Sequence, residues 1–295
     1  MSGPTVGAQM GTGTWTVRSL LAWSREWLQK KGAESPRLDS ELLLAHALGC
    51  DRVRLYIDAD KPLGPDELAR FKLLIQRRGA REPVAYILST KEFYGRPFEV
   101  GPGVFIPRPE TELLVQAVLS ALDPAVPAQV LDLCAGSGAV GVSIAAERPQ
   151  AQVDLVELSP PAAACARRNA DKHAPGRVRV FEGDLYAALP PGTRYHAIAA
   201  NPPYVPASHG RQLARDILDH EPHLALFGGD DGLAVVRAVI AGLRERLLPG
   251  GLFVTEIDPS QGQTASALLR EAGLTQVRVE RDLAGLDRHA VGRAP

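Results

Sequence analysis

The chain has 295 residues, 45% of them hydrophobic, and 33 basic against 34 acidic side chains give a net charge of −1. This length exceeds one typical domain and predicts a large and a small one, while the balanced charge argues against a protein dominated by contacts to nucleic-acid phosphates. No apolar run reaches the roughly 18 residues of a membrane span, and Cys50, Cys134 and Cys165 form neither a disulfide framework nor a metal spacing, as expected in a reducing cytoplasm.

Residues 1–14 are rich in Gly, Thr and Ser and lack the basic and apolar segments of a secretion signal, so a disordered lead-in is expected. Leu20, Leu21, Trp23, Trp27 and Leu28 then form a helical stripe over 17–31 that stops at Gly32. Ser35-Pro36 opens a second helix that runs to Gly49, and Pro65 a third over 66–78. Together they predict a helical domain over 15–82. Its tryptophans read as core, and Arg77, Arg78 and Arg81 read as a solvated face. Over 83–105 the period changes. Tyr86-Ile87-Leu88 and the run from Arg96 to Val100 flank Tyr94-Gly95, which predicts a β-hairpin linker.

Pro107 and Pro109 then fix an extended approach, and Glu110 and Glu112 suit the start of a helix running to Leu122. Thereafter strands and helices alternate, the sign of a parallel sheet. Strands are predicted over 129–133, 152–156, 178–181, 197–200 and 252–257. Helices are predicted over 139–147, 160–171, 232–247 and 264–272, the third ended by Pro249-Gly250-Gly251.

Ligands of such sheets bind at the carboxyl ends of the strands. The first strand runs into Asp132-Leu133-Cys134-Ala135-Gly136-Ser137-Gly138, where glycines let the backbone approach a ligand and the next helix presents free N–H groups. Glu157 ends the second strand, about 20 residues on, where a carboxylate accepts the hydroxyls of a ribose. Asp184, followed by Leu185, ends the third and either accepts from an adenine amino group or caps its loop. No complete G-x-G-x-x-G is present, which favours a single nucleoside over a dinucleotide. Asn201-Pro202-Pro203-Tyr204 ends the fourth strand, because neither proline has an N–H for a ladder. The Asn201 amide, the Pro202 carbonyl and the Tyr204 ring suit a planar amide or an aromatic amine. His220-x-x-His223 lies in a proline-containing loop without further ligands, so no metal site is expected.

With these motifs the chain resembles the class I S-adenosylmethionine-dependent methyltransferases that act on nitrogen. The helical N-terminal region, Ile106-Pro107-Arg108-Pro109-Glu110-Thr111-Glu112 and Glu221-Pro222-x-x-Ala225-Leu226 narrow the likeness to the bacterial release-factor glutamine methyltransferases, the HemK/PrmC family, over about residues 16–293. The resemblance implies a mostly parallel Rossmann-like sheet with one antiparallel strand, the last two strands (274–279 and 288–291) forming an antiparallel pair, in a methyltransferase domain spanning 106–295. It implies that Cys134, Ala135, Gly136, Ser137 and Gly138 hold the methionine moiety of S-adenosylmethionine, Glu157 its ribose, and Asp184 and Leu185 its adenine. Asn201, Pro202, Pro203 and Tyr204 would hold the substrate, the glutamine of the Gly-Gly-Gln loop in class I peptide chain release factors, and S-adenosylhomocysteine would be the product. A cytoplasmic monomer without stable nucleic-acid binding is expected. Four positions depart from the family pattern: Cys134 replaces a glycine, Leu185 and His220 stand where aromatics are common, and Asp258-Pro259 stands where glycine is common. Two alternatives remain at this stage. The same motif would grip adenine N6 in a nucleic acid, or the chain would bind nucleoside and release factor without turnover.

Overall fold

The computed structural model describes residues 14–295. The lead-in expected over 1–14 lies, apart from its last residue, outside the described residues. The chain divides into two compact units.

The first unit holds residues up to 89 together with 215–220. It contains α1 (Val17–Lys30), α2 (Pro36–Leu48), α3 (Arg52–Ile57), α4 (Pro65–Gly79) and α5 (Val84–Leu88), and a further short helix at Arg215–His220. Thr16 caps α1 by accepting the Ser19 N–H. Leu20, Leu28, Leu43, Leu44, Phe71 and Ile75 are buried and form the core. Helix α3 carries no long apolar stripe. It forms because Asp51 caps it, accepting the Arg54 N–H at 2.8 Å. The structure corrects two further readings. Tyr86, Ile87 and Leu88 belong to a helical turn that Pro83 starts and Ser89 ends in the left-handed region at φ 56°. Adjacent Tyr86 and Ile87 are both buried, which an alternating strand at a sheet surface would not allow. Arg78 does not face solvent: only 6% of its surface is exposed, and it lies between Asp39 and Asp216.

The second unit, 90–214 with 221–295, begins with the antiparallel hairpin β1 (Thr90–Phe93) and β2 (Arg96–Glu99). Phe93 and Phe98 are buried in this unit's own core. There follow α6 (Glu112–Ala121), β3 (Ala128–Leu133), α7 (Ala139–Glu147), β4 (Ala151–Glu157), α8 (Pro160–His173), β5 (Val178–Glu182) and β6 (Tyr195–Ala200). The chain ends with α9 (Ala234–Ala241), α10 (Leu243–Arg246), β7 (Leu247–Glu256), α11 (Gly262–Glu271), β8 (Thr275–Arg281) and β9 (Asp287–Arg293). Strand order is β5-β4-β3-β6-β7-β9-β8. Only β9 runs against its neighbours, which gives the mostly parallel sheet with one antiparallel strand.

Alternate residues of each central strand point to opposite faces. Val130, Val153, Leu155, Ala197 and Ala199 pack against Leu114, Val118, Val142, Ile144 and Ala166 of α6, α7 and α8. Leu131, Leu133, Ile198 and Ala200 pack against Val236, Val239, Leu243 and Leu269 of α9, α10 and α11. The predicted helix over 232–247 is split, and Pro249-Gly250-Gly251 lies inside β7. Tyr195 pairs with Leu247 and Ala197 with Leu252, so a register shift takes up the intervening residues. A bulge of this kind tolerates a proline that an unbroken ladder would reject.

Candidate active site

The parallel register aligns the carboxyl ends of β3, β4, β5, β6 and β7 along one edge of the sheet. At the end of β3 the chain turns through left-handed conformations at Cys134 (φ 58°), Gly136 (φ 57°) and Gly138 (φ 78°). The backbone path of the turn is therefore kept with cysteine at the first position, although that conformation disfavours a side chain. A Cβ at Gly136 would meet nothing within 4 Å, so this backbone borders open space. Two carboxylates fix the turn. Buried Asp132 accepts the Gly141 N–H at 2.8 Å, and burial pushes its carboxyl up to about 7. Glu157 accepts the N–H of Gly136 at 2.7 Å and of Ser159 at 2.8 Å. Burial raises the Glu157 carboxyl against these bonds. Asn169, fully buried on α8, donates to the carbonyls of Ser137 at 2.9 Å and Glu99 at 3.0 Å and accepts the Glu99 N–H, tying the turn to the hairpin.

At the end of β6, Asn201-Pro202-Pro203-Tyr204 leaves the sheet. The chain then pairs with a returning segment: the Val205 N–H donates to Leu226 O at 2.9 Å and the Gly228 N–H to Val205 O at 3.0 Å. Gly232 lets this segment approach, since a Cβ there would stand 2.1 Å from the Tyr204 carbonyl oxygen. Gln261 donates to that same oxygen at 3.0 Å. The side chains are held as firmly. Asn201 Nδ2 donates to Thr111 Oγ1 at 3.2 Å, and the Thr111 hydroxyl donates to Glu256 Oε2 at 2.7 Å. The Tyr204 hydroxyl donates to Glu256 Oε1 at 3.0 Å. Burial, then the Glu256 charge, raises the Tyr204 phenol, which therefore stays neutral.

One cavity of about 420 Å³ brings these groups together. Cys134, Ala135, Gly136, Ser137, Glu157, Asp184, Leu185, Asn201, Pro203 and Tyr204 all line it. Gly138 and Pro202 do not: both are buried behind it, Gly138 as the cap of α7 and Pro202 within the turn. The sequence reading gave no role to Thr111, Glu256 or Gln261. Glu256 carried a usable signal, a carboxylate ending an otherwise apolar buried strand. Nor did it single out the pair of Arg108 and the 4%-exposed Glu221, which also accepts the Ile106 N–H at 3.1 Å and so anchors the segment entering the cavity wall.

The residues present fit a nucleoside cofactor. Glu157 lines the cavity, and each of its oxygens keeps a lone pair beyond its backbone bond. The side-chain-free Gly136 faces the same space. Across it stands an amide anchored on one side only. A glycine turn, a strand-end carboxylate and a strand-end amide sharing one cavity, at the carboxyl edge of a sheet in this order, define the class I S-adenosylmethionine-dependent methyltransferase fold. Comparison with known proteins agrees. Residues 19–88 match the family described as PrmC N-terminal domain and residues 98–247 the methyltransferase small domain. The chain is 43% identical over 279 residues to the release factor glutamine methyltransferase of Geobacter sulfurreducens, covering 95% of this chain and 97% of that one. It is 45% identical over 263 residues to the one of Burkholderia pseudomallei, covering 88% and 92%. In fold alone it resembles a methyltransferase from Pyrococcus furiosus, 17% identical with TM-score 0.52 over 74% of this chain and 98% of that one. A T. thermophilus 16S rRNA N2 methyltransferase in complex with AdoMet and guanosine is also similar, at 24% identity and TM-score 0.51 over 70% of this chain and 50% of that one. The chain belongs to the release factor glutamine methyltransferase family, and its cofactor is S-adenosylmethionine.

Proposed function

We propose that the chain methylates the side-chain amide nitrogen of the glutamine in the Gly-Gly-Gln loop of class I peptide chain release factors, with Asn201, Pro203 and Tyr204 holding that glutamine and Pro202 shaping the turn behind them. The observation that carries this reading is the shared cavity, with Glu157 and Gly136 on one side and Asn201 on the other. Residues 134–138, Glu157, Asp184 and Leu185 would hold the cofactor's methionine, ribose and adenine parts. When bound, S-adenosylmethionine supplies a methyl group on a sulfonium centre with a neutral leaving group.

The protein has to align an unreactive nucleophile. An amide nitrogen shares its lone pair with the carbonyl. Asn201 Oδ1 has no hydrogen-bond partner among the described residues, so it is available to accept one glutamine N–H. The Asn201 N–H not used by Thr111 is available to the glutamine carbonyl, while Pro202, buried behind the cavity, only fixes the turn that aims Asn201. Holding the amide by its N–H and its carbonyl fixes the nitrogen against the methyl donor, and alignment of this kind supplies up to about 7–11 kcal/mol. No general base is assigned, because an alkylated amide nitrogen sheds its proton readily.

We assign the helical region, 15–82, to recognition of the release factor, and the rest to cofactor and catalysis. Among the described residues no helix is long and apolar enough to cross a membrane. A cytoplasmic monomer without stable nucleic-acid binding fits the substrate. The test is incubation with labelled S-adenosylmethionine and, in parallel, a release factor, its loop Gln→Ala variant and duplex DNA. Label should appear on the intact release factor alone. Label on DNA alone would overturn the reading.

A further inference from the structure

Glu256 ends β7 beside the end of β6, since Thr255 pairs with Ala200 and Asn201 follows next. Its carboxylate is 1% exposed and is met by two hydroxyls, Thr111 at 2.7 Å and Tyr204 at 3.0 Å. Thr111 is itself 3% exposed. Donor arithmetic then fixes the rest. An ionised carboxylate only accepts, and a hydroxyl has one proton. With the Thr111 proton spent on Glu256, Thr111 Oγ1 is left only to accept, and the group it faces is Asn201 Nδ2 at 3.2 Å. An Asn amide is nearly symmetric in shape, so packing alone would not choose which end faces Thr111. Burial raises the Glu256 carboxyl, against the lowering by the Thr111 and Tyr204 hydroxyls and the Arg288 charge; in its ionised form, which both hydroxyls meet as donors, it chooses.

We propose that Glu256 is a positioning residue that acts through Thr111 to set the polarity of the Asn201 amide, presenting its oxygen and not its NH2 to the substrate nitrogen. The proposal rests on the reading of Asn201 as the substrate clamp. If the relay were reversed, Thr111 would donate to Asn201 Oδ1 and the NH2 group would confront the glutamine NH2, donor against donor. Tyr204 shares the same carboxylate, so one buried group orients both polar members of the Asn-Pro-Pro-Tyr turn.

The experiment is single-turnover methylation at saturating release factor, beside calorimetric titration of S-adenosylmethionine, on the full chain carrying Thr111→Val, Thr111→Ser, Glu256→Gln, Glu256→Gln/Thr111→Val or Asn201→Ala. Thr111→Val keeps the shape and removes the relay, and should slow methyl transfer about tenfold or more with cofactor affinity unchanged. Thr111→Ser keeps the hydroxyl and should recover at least about a third of the wild-type rate. Glu256→Gln turns an NH2 toward one of the two hydroxyls and should be slow as well. The double variant should be no more than about threefold slower than the slower single one, because the two residues act in series. If Glu256→Gln fails to fold, the two Thr111 variants decide alone. A slow Asn201→Ala beside a Thr111→Val of wild-type rate would overturn the relay while leaving the clamp standing. A slow Thr111→Ser, a Thr111→Val defect lying wholly in cofactor affinity, or fully multiplicative losses in the double variant would also overturn it. A wild-type rate for Asn201→Ala would remove the clamp itself.

Discussion

The Gly136 N–H donates to Glu157 Oε2 at 2.7 Å, across the ends of neighbouring strands β3 and β4. The residue assigned to the ribose thus also shapes the turn assigned to the methionine part. Glu157→Ala should therefore weaken S-adenosylmethionine by about 1.5–3 kcal/mol, the scale of hydrogen bonds to a charged group. Glu157→Gln, which keeps one acceptor oxygen, should lose less. Calorimetry checks both, and an unchanged affinity in the alanine variant would remove Glu157 from the cofactor site.

Asn201→Ala removes an acceptor that matters most as the nitrogen pyramidalises. The loss should fall on the methyl-transfer step, about 2.7–4 kcal/mol or a hundred- to thousandfold. Cofactor affinity should change little. Single-turnover rates with saturating release factor, set beside cofactor titrations, separate the two, and a defect confined to cofactor binding would contradict the clamp.

In the helical unit, Arg78 donates to Asp39 Oδ2 at 2.8 Å and pairs with Asp216 Oδ2 at 2.6 Å, while 6% of its surface is exposed. Arg78→Met leaves Asp39 without its cation and Asp216 with Arg81 alone, at 3.2 Å. Breaking a buried pair from one side costs about 3–5 kcal/mol. Urea unfolding should show that loss, and a change below about 1 kcal/mol would mean the two carboxylates find other partners or solvent.

His289 is fully buried on β9, and neither ring nitrogen has a hydrogen-bond partner among the described residues. Burial, then the Arg288 charge, lowers its pKa from 6.5 to about 4. Between those values the unfolded chain binds a proton that the folded chain refuses, so this histidine's contribution destabilises as pH falls through that window. Asp132 acts in the opposite sense, because its buried carboxyl stays protonated up to about 7. The difference between wild type and His289→Leu isolates the histidine. That difference should move in favour of leucine by about 3 kcal/mol from pH 7 to pH 4. Denaturant unfolding at a series of pH values measures it, and a difference independent of pH would show that His289 finds a proton-stabilising partner.

Much of the site was legible because its chemistry sits at strand ends. An apolar run followed by Asn201-Pro202-Pro203-Tyr204, or by Glu157, announces both the strand and where it stops. The alternating period failed where burial is decided by neighbours. Tyr86-Ile87-Leu88 is apolar enough for a strand, yet it forms one helical turn whose Ile87 and Leu88 side chains enter the helical core. Pro249-Gly250-Gly251 looks like a helix stop, yet it is a bulge whose register only the partner strand sets. Arg78 looks like a surface charge, and only the approach of Asp39 and Asp216 makes its burial tolerable.

By itself the sequence determined the alternation of strands and helices from residue 129 to 200, the turn at Gly136, and the identity of the groups at each strand end, because these depend on side-chain period and on residues that cannot continue a ladder. Only the tertiary structure decided which groups meet. Thr111 and Glu256 are 145 residues apart in the chain, and nothing local to either reveals the other. Their bond exists because β6 and β7 lie side by side, with the turn before α6 near their ends. A buried carboxylate is tolerated only when distant donors reach it, so its role becomes visible when the sheet is assembled.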